Sequence, residues 1–333
     1  MNKLKKSIFY ISPIIIILIA ISCGSQNITL TSIIDVISYK ISGYTIFNTT
    51  LTTNMINIVW NIRLPRIILT LLVGSSLSVS GATLQAILKN PLVDPYTLGL
   101  SSGAIFGVAL SIIIPVLPRQ ITAFIFGLLG VMVCYTLSNN NDEISTLALI
   151  LSGVMVSSVF TALYSLIQLM IDPLKLQGLV YWMMGSFHTA SWNKVYSVII
   201  VLIISLLVIY KYRWRLNILS LEDKEARYLG VDLKKDKIIL IFFASILATS
   251  SVSVSGVISL VGLMIPHIVR LLFGADNRNI IPVSMCLGGA YLTFVDIFSR
   301  SLMSFEIPIG IFTTLIGAPF FIYLLRKSVM GRN

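Results

Sequence analysis

Residues 238–273 read IILIFFASILATSSVSVSGVISLVGLMIPHIVRLLF, and how this run divides decides the fold. A helix rises about 1.5 Å per residue and needs roughly 20 apolar residues to cross about 30 Å of hydrocarbon. The run is too long for one untilted crossing. A break in the serine-rich segment Ser250–Gly256 makes it two spans, near 238–256 and 257–273. Outward from it, the same reading predicts eight more, near 8–22, 62–83, 96–115, 120–138, 146–170, 193–210, 280–298 and 307–326. Both ends are basic (Lys3, Lys5 and Lys6 against Arg326, Lys327 and Arg332), so both belong in the cytoplasm, which requires an even number of spans. With ten, seventeen of the 24 Lys and Arg fall inside and seven outside, the bias that cytoplasmic loops show.

Composition agrees. Of 333 residues, 56% are hydrophobic and 11% charged, with a mean hydropathy of +0.93; a soluble domain carries about a quarter charged residues. The expected fold is all-α: one polytopic membrane domain over 1–333, with a long polar outer segment at 23–61 and a cytoplasmic loop at 211–237. The net charge of +11 sits in loops and reads as topology, with no nucleic-acid partner. At the N-terminus, Ala20-Ile21-Ser22-Cys23 has a lipoprotein-cleavage look, but nine further apolar runs favour a retained first span. Ser76–Gly81 and Ser251–Gly256 have similar sequences on spans of opposite direction, as in an inverted repeat, or by chance between serine-rich segments.

The cytoplasmic loop is the most informative polar piece. Ser220 with Asp223 has the form of a capped helix start, and Gly230 of a helix stop. The enclosed Leu221–Leu229 carries Leu221, Tyr228 and Leu229, an apolar set suited to docking a cytoplasmic partner; the plainer alternative is a connector. Two histidines, His188 and His267, and three scattered cysteines offer no metal-ligand spacing, and no cofactor is expected. His188 on the outer side could touch a substrate or partner. No Gly is followed by Lys, so no phosphate-cradling Walker motif exists and nucleotide chemistry must come from elsewhere.

The ordered set Arg63-Leu64-Pro65-Arg66, Gly81-Ala82-Thr83-Leu84-Gln85, Asn90-Pro91-Leu92, Tyr181–Phe187, Leu216–Leu221, Glu225–Gly230, Gly262–Arg270, Ile307–Gly310 and Gly317-Ala318-Pro319 resembles the FecCD family, the permeases of iron-complex and cobalamin ABC importers. The resemblance implies a ten-span permease that pairs with a second permease, identical or paralogous, above two ATP-binding subunits and below an extracytoplasmic substrate-binding protein. It implies ATPase coupling at Leu219, Ser220, Leu221, Glu225, Ala226, Arg227 and Gly230, and binding-protein docking at Arg63, Arg66 and Arg300. Lipid-headgroup anchoring is the other use for those arginines. Asp296, four residues before Arg300, is expected to orient it. Ser145 and Thr146 match the family's cytoplasmic gate, though a helix cap would look the same. Residues 178–190 match a short outer helix, and Trp182 and Trp192 suit the interfacial aromatic belt. Ferric siderophore, heme and cobalamin all remain open as cargo.

Two other classes compete. An intramembrane protease would need Gly-x-Ser-Gly or His-Glu-x-x-His, and neither is present. An ion-coupled secondary transporter usually carries buried carboxylates on its path, and Asp296 alone is a candidate.

Overall fold

A computed structural model describes residues 3–24, 26, 28–140, 143–144, 146–221, 225–226, 232–303 and 305–330. Its helices are α1 (Lys3–Ser22), α2 (Leu30–Ser42), α3 (Thr53–Ile56), α4 (Leu64–Ile87), α5 (Leu100–Ile113), α6 (Arg119–Ser138) and α7 (Thr146–Met170). They continue as α8 (Pro173–Met183), α9 (Trp192–Tyr212), α10 (Arg215–Leu219), α11 (Leu233–Ser255), α12 (Val261–Phe273), α13 (Asn277–Ser301) and α14 (Ile309–Met330). Between α6 and α7, Asn139–Asn140 pairs antiparallel with Glu143–Ile144. Among the described residues, six helices are long and apolar enough to cross a membrane, and four shorter apolar ones accompany them. An apolar helix stands at each of the ten predicted positions.

The run that opened the sequence reading divides where expected, at the far end of the serine-rich segment. Its serines stay inside α11, because their hydroxyls turn back onto the helix. Ser251 donates to the Leu247 carbonyl and Ser255 to the Ser251 carbonyl, which lets serine sit in a helix without competing for another fold. The break comes at Gly256, whose φ of 72° suits a residue without Cβ; the Trp182 carbonyl lies where a Cβ would stand. Tyr96 holds the extended stretch that follows, its Oη donating to the Ile258 carbonyl at 3.0 Å.

Helix α4 is the axis of the molecule. It is buried along most of its length by α13, α11, α12 and α9. A hydrophobic effect cannot draw helices together in lipid, so close backbone approach and interhelical hydrogen bonds must. Gly74 faces Gly288 so closely that a Cβ on either would meet backbone or Ser78. Ser75 donates to the Met285 carbonyl and Ser80 to the Ala244 carbonyl, at 2.8 and 2.7 Å. Helices α7 and α9, by contrast, bury only a minority of their apolar stretch; their exposed Leu, Val and Ile side chains face lipid or another subunit.

The segment 23–61, read from sequence as a polar gap, is structured. Thr29 caps α2 by accepting from the Ser32 N–H, and Gly43 ends it at φ 79°. Asp35, fully buried, then gathers the following loop: its Oδ1 accepts from the Ile46 and Phe47 amides, and its Oδ2 from the amide and hydroxyl of Thr49. From Thr53 the chain runs helically to Ile87, with a π-helical stretch at Asn57–Arg63. Pro65 explains it, since proline has no N–H and its ring clashes with a carbonyl one turn back.

Candidate functional site: polar clusters at the two ends of α4

Arg66 and Ala86 are twenty residues apart on one helix, about 30 Å at 1.5 Å per residue, close to the thickness of a bilayer core. A polar cluster lies at each end.

The first cluster gathers three arginines from two helices. The π-helical stretch and α4 carry Arg63 and Arg66, and the last turn of α13 carries Arg300. Arg66 is buried, and Asp296 faces it through a fork: Nε donates to both carboxylate oxygens at 3.0 and 3.1 Å, and Nη2 to Oδ1 at 2.9 Å. Its remaining nitrogen, Nη1, donates to Glu306 Oε1 at 2.8 Å. Among the described residues Arg63 meets no carboxylate; it donates to the carbonyls of Ile21 and Gln26. Arg300 donates to the Ala20 carbonyl, and its Nε lies 3.8 Å from Asp296.

Asp296 is therefore chiefly the partner of Arg66, a correction to the expectation that it orients Arg300. The i, i+4 spacing brings the pair onto one face, but the bidentate match of α4 to α13 is the stronger contact. All three predicted arginines lie together, yet they are mostly withdrawn from solvent rather than displayed.

Around Glu306 the cluster reaches the surface. Its Oε2 stands 3.4 Å from His188 Nδ1, and the Tyr181 hydroxyl donates to its carbonyl. Burial works against the Glu306 charge, but Arg66 and His188 hold its carboxyl below the ordinary range. The expected helix over 178–190 is displaced. It runs Pro173–Met183, started by Asp172 accepting from the Leu174 amide with proline in the first turn, and residues 184–191 form a turn through Gly185. Trp182 and Trp192 are half-buried; Trp192 donates to the Trp60 carbonyl and stacks on Tyr196.

The second cluster surrounds α10. Leu216, Ile218 and Leu219 are buried beneath it, and Ala226 is buried as well, while Trp214, Leu221 and Glu225 face outward. Three bridges tie this segment to three spans. Arg215 pairs with the buried Asp236 on α11 at 2.7 Å. Asn217 donates to Asp276 Oδ1 and accepts from the Asn277 amide, both at 2.7 Å, at the start of α13. Ser220 reaches the Ala86 carbonyl at the end of α4, at 3.4 Å. Arg278 chiefly, and Asn217 with it, hold the Asp276 carboxyl at about 2, well below its ordinary value, against some desolvation.

Ser220 belongs to α10, and the helix start expected from Ser220 with Asp223 falls on residues outside the described ones. Ser220 sits at the end of α10 in helical geometry, and its hydroxyl donates to the Leu216 carbonyl at 2.7 Å. It thus closes α10. Arg227, Gly230 and Ser145 lie outside the described residues. Thr146 begins α7 at this same end, its hydroxyl donating to the Leu88 carbonyl just past α4. Nearby, Gln85 bridges α4 to α12 by accepting from Arg270 at 3.2 Å.

Sequence reasoning missed Glu306, Asn217, Asp276 and Trp214. Glu306 carried a usable signal: it is one of only 13 acidic residues in the chain and directly precedes the Ile307–Gly310 motif. Among the described residues no group of three or more His, Cys, Asp or Glu could hold a metal ion.

Buried polar residues on close-packed apolar helices, with a cluster at each end of a central one, define a multi-pass membrane permease. The comparisons with known proteins agree. The FecCD transport family profile matches residues 13–327. The molybdate import permease MolB of Haemophilus influenzae is 40% identical over 279 residues, 82% of this chain and 82% of that protein. The cobalamin import permease BtuC of Halobacterium salinarum is 39% identical over 272 residues, 81% of this chain and 73% of that protein. A solved structure described as an inward-facing metal-chelate type ABC transporter superposes with a TM-score of 0.86 at 33% identity, covering 98% of this chain and all of that one. The chain belongs to the FecCD transport family. It is a permease subunit of an ABC importer in a prokaryotic cell membrane, and the ATPase is a separate subunit.

Proposed function

We propose that the chain is one half of a membrane conduit for an iron complex (a ferric siderophore or heme) or for cobalamin, crossing the bilayer ten times with both termini in the cytoplasm. The observation that carries this reading is the placement of α10. One short, outward-facing segment is bonded to α4, α11 and α13 at once, so a push on it from below moves three spans together. Leu219, Ser220, Leu221, Glu225, Ala226, Arg227 and Gly230 take that push from two ATP-binding subunits.

The orientation has independent support. Phe9 near the basic N-terminus packs on Phe273, and Phe321 near the C-terminus lies beside His267. Both contacts lie toward the α10 end of the molecule. Thr146 and Ser145, at that end, form the cytoplasmic gate against a second permease, identical or paralogous. At the other end, three arginines gather around two carboxylates, Asp296 and Glu306, which pair with Arg66 and, more distantly, Arg300, while Arg63 binds backbone carbonyls. This surplus of positive charge suits an acidic lobe of a substrate-binding protein. The similar serine segments of α4 and α11, two helices that the Ser80 to Ala244 hydrogen bond ties together, fit an inverted repeat about the conduit.

Cargo chemistry is tested on the binding protein that works with this permease, by titrating it with ferric siderophores, heme, cobalamin and molybdate side by side. Saturable binding of an iron complex or cobalamin is expected. Binding of molybdate alone would replace this cargo assignment.

A further inference from the structure

We propose that Glu306 is a built-in stand-in for a docking carboxylate: it occupies the outward nitrogen of Arg66 while the transporter is unpartnered and yields it to an acidic residue of the substrate-binding protein. The inference rests on the docking reading above and adds a mechanism to it.

The two carboxylates on Arg66 differ in kind. Asp296 is 1% exposed and forked onto the guanidinium from within the helix bundle. It has nowhere to go. Glu306 is 29% exposed, lies on the short connector between α13 and α14, and makes a single contact with Arg66, through one oxygen. Among the described residues its other oxygen, although buried, faces only the exposed ring of His188, at 3.4 Å. A carboxylate so placed masks an otherwise buried arginine at the surface. An incoming carboxylate could take over the Nη1 contact without disturbing the Asp296 fork.

The exchange would also carry information inward. Glu306 is tied through its carbonyl to Tyr181 and through its carboxylate to His188, and three residues later Ile309 and Gly310 donate their amides to Gly185 and Met184. Withdrawing Glu306 from Arg66 therefore loosens a connector that is stitched to the turn after α8. Arg66 meanwhile keeps its charge compensated throughout, which avoids the large cost of a lone buried cation.

The test uses the complete importer in lipid nanodiscs and its own purified substrate-binding protein, with docking measured as an equilibrium affinity for wild type, Glu306→Gln, Arg66→Ala and the double variant. Removing the competitor should tighten docking about two- to fivefold, the range of a partly exposed charge pair. Arg66→Ala should weaken it, and Glu306→Gln should give no gain in the Arg66→Ala background. Size-exclusion profiles and Glu306→Asp, which keeps the charge, separate competition from misfolding. Unchanged or weaker docking in Glu306→Gln, with Arg66→Ala still weakened, overturns the stand-in role alone. If Arg66→Ala docks normally, the docking reading falls and the stand-in with it.

Discussion

At the scale of single residues, the costliest contact to break is the fork between Arg66 and Asp296. Removing one partner of a buried ion pair leaves an uncompensated charge and typically costs about 3–5 kcal/mol, whereas replacing both by apolar groups can be nearly neutral. Asp296→Asn should therefore lower the melting temperature of the detergent-purified protein markedly, and adding Arg66→Met should recover part of the loss. An equal loss in the double variant would mean that the fork is not what fixes α4 to α13. Asp35 offers a pH test. Burial opposes its charge, but hydrogen bonds led by the Phe47 amide bring its carboxyl down from 3.8 to about 2. A depressed carboxylate stabilises above its unfolded value and loses that contribution as pH falls through its folded one. The Phe47 and Thr49 amides should stay protected from hydrogen exchange at pH 5, after correction for intrinsic rates, and lose protection as the pH falls toward 2. Protection unchanged down to pH 2 would remove Asp35 as the organiser of that loop.

At the scale of helices, what holds the bundle is backbone proximity. A Cβ at Gly74 would collide with the Gly288 carbonyl, which cannot swing aside as a side chain can. Gly74→Val should push α4 from α13 and cost about 1–3 kcal/mol, as overpacking does, seen as a lower melting temperature with helix content retained. An unchanged melting temperature would show the seam to be loose. The positions of the helices were legible in the sequence because each is a long apolar run, and composition alone forces such runs into lipid. The arginine cluster was legible as a motif, but its wiring was not. Asp296 and Arg66 are 230 positions apart, and nothing local records that they meet. The amphipathic α2 was hidden for the opposite reason: Ser, Thr and Tyr among its apolar residues dilute the pattern, and its fixing point, Asp35, acts on residues eleven to fourteen positions away. The break in the serine-rich segment was legible to within a residue or two, and because serine can satisfy itself within a helix it is Gly256, at the segment's end, that marks the turn.

At the scale of the whole molecule, the chain is a permease subunit with a polar cluster at each end of its central helix, and the ATPase is a separate subunit. In the proposed function its work depends on force entering at the α10 end. The bridges from Arg215, Asn217 and Ser220 tie α10 to three spans, and in the proposed function this makes it a handle whose outward Trp214, Leu221 and Glu225 a partner grips. The most direct measurement is ATP-dependent uptake alongside ATP hydrolysis in proteoliposomes holding the complete importer, with Glu225 and Arg227 both replaced by alanine. Hydrolysis that continues while uptake per ATP falls at least tenfold is the predicted result, about 1.4 kcal/mol of lost coupling. Uptake and hydrolysis that remain in wild-type proportion would contradict it.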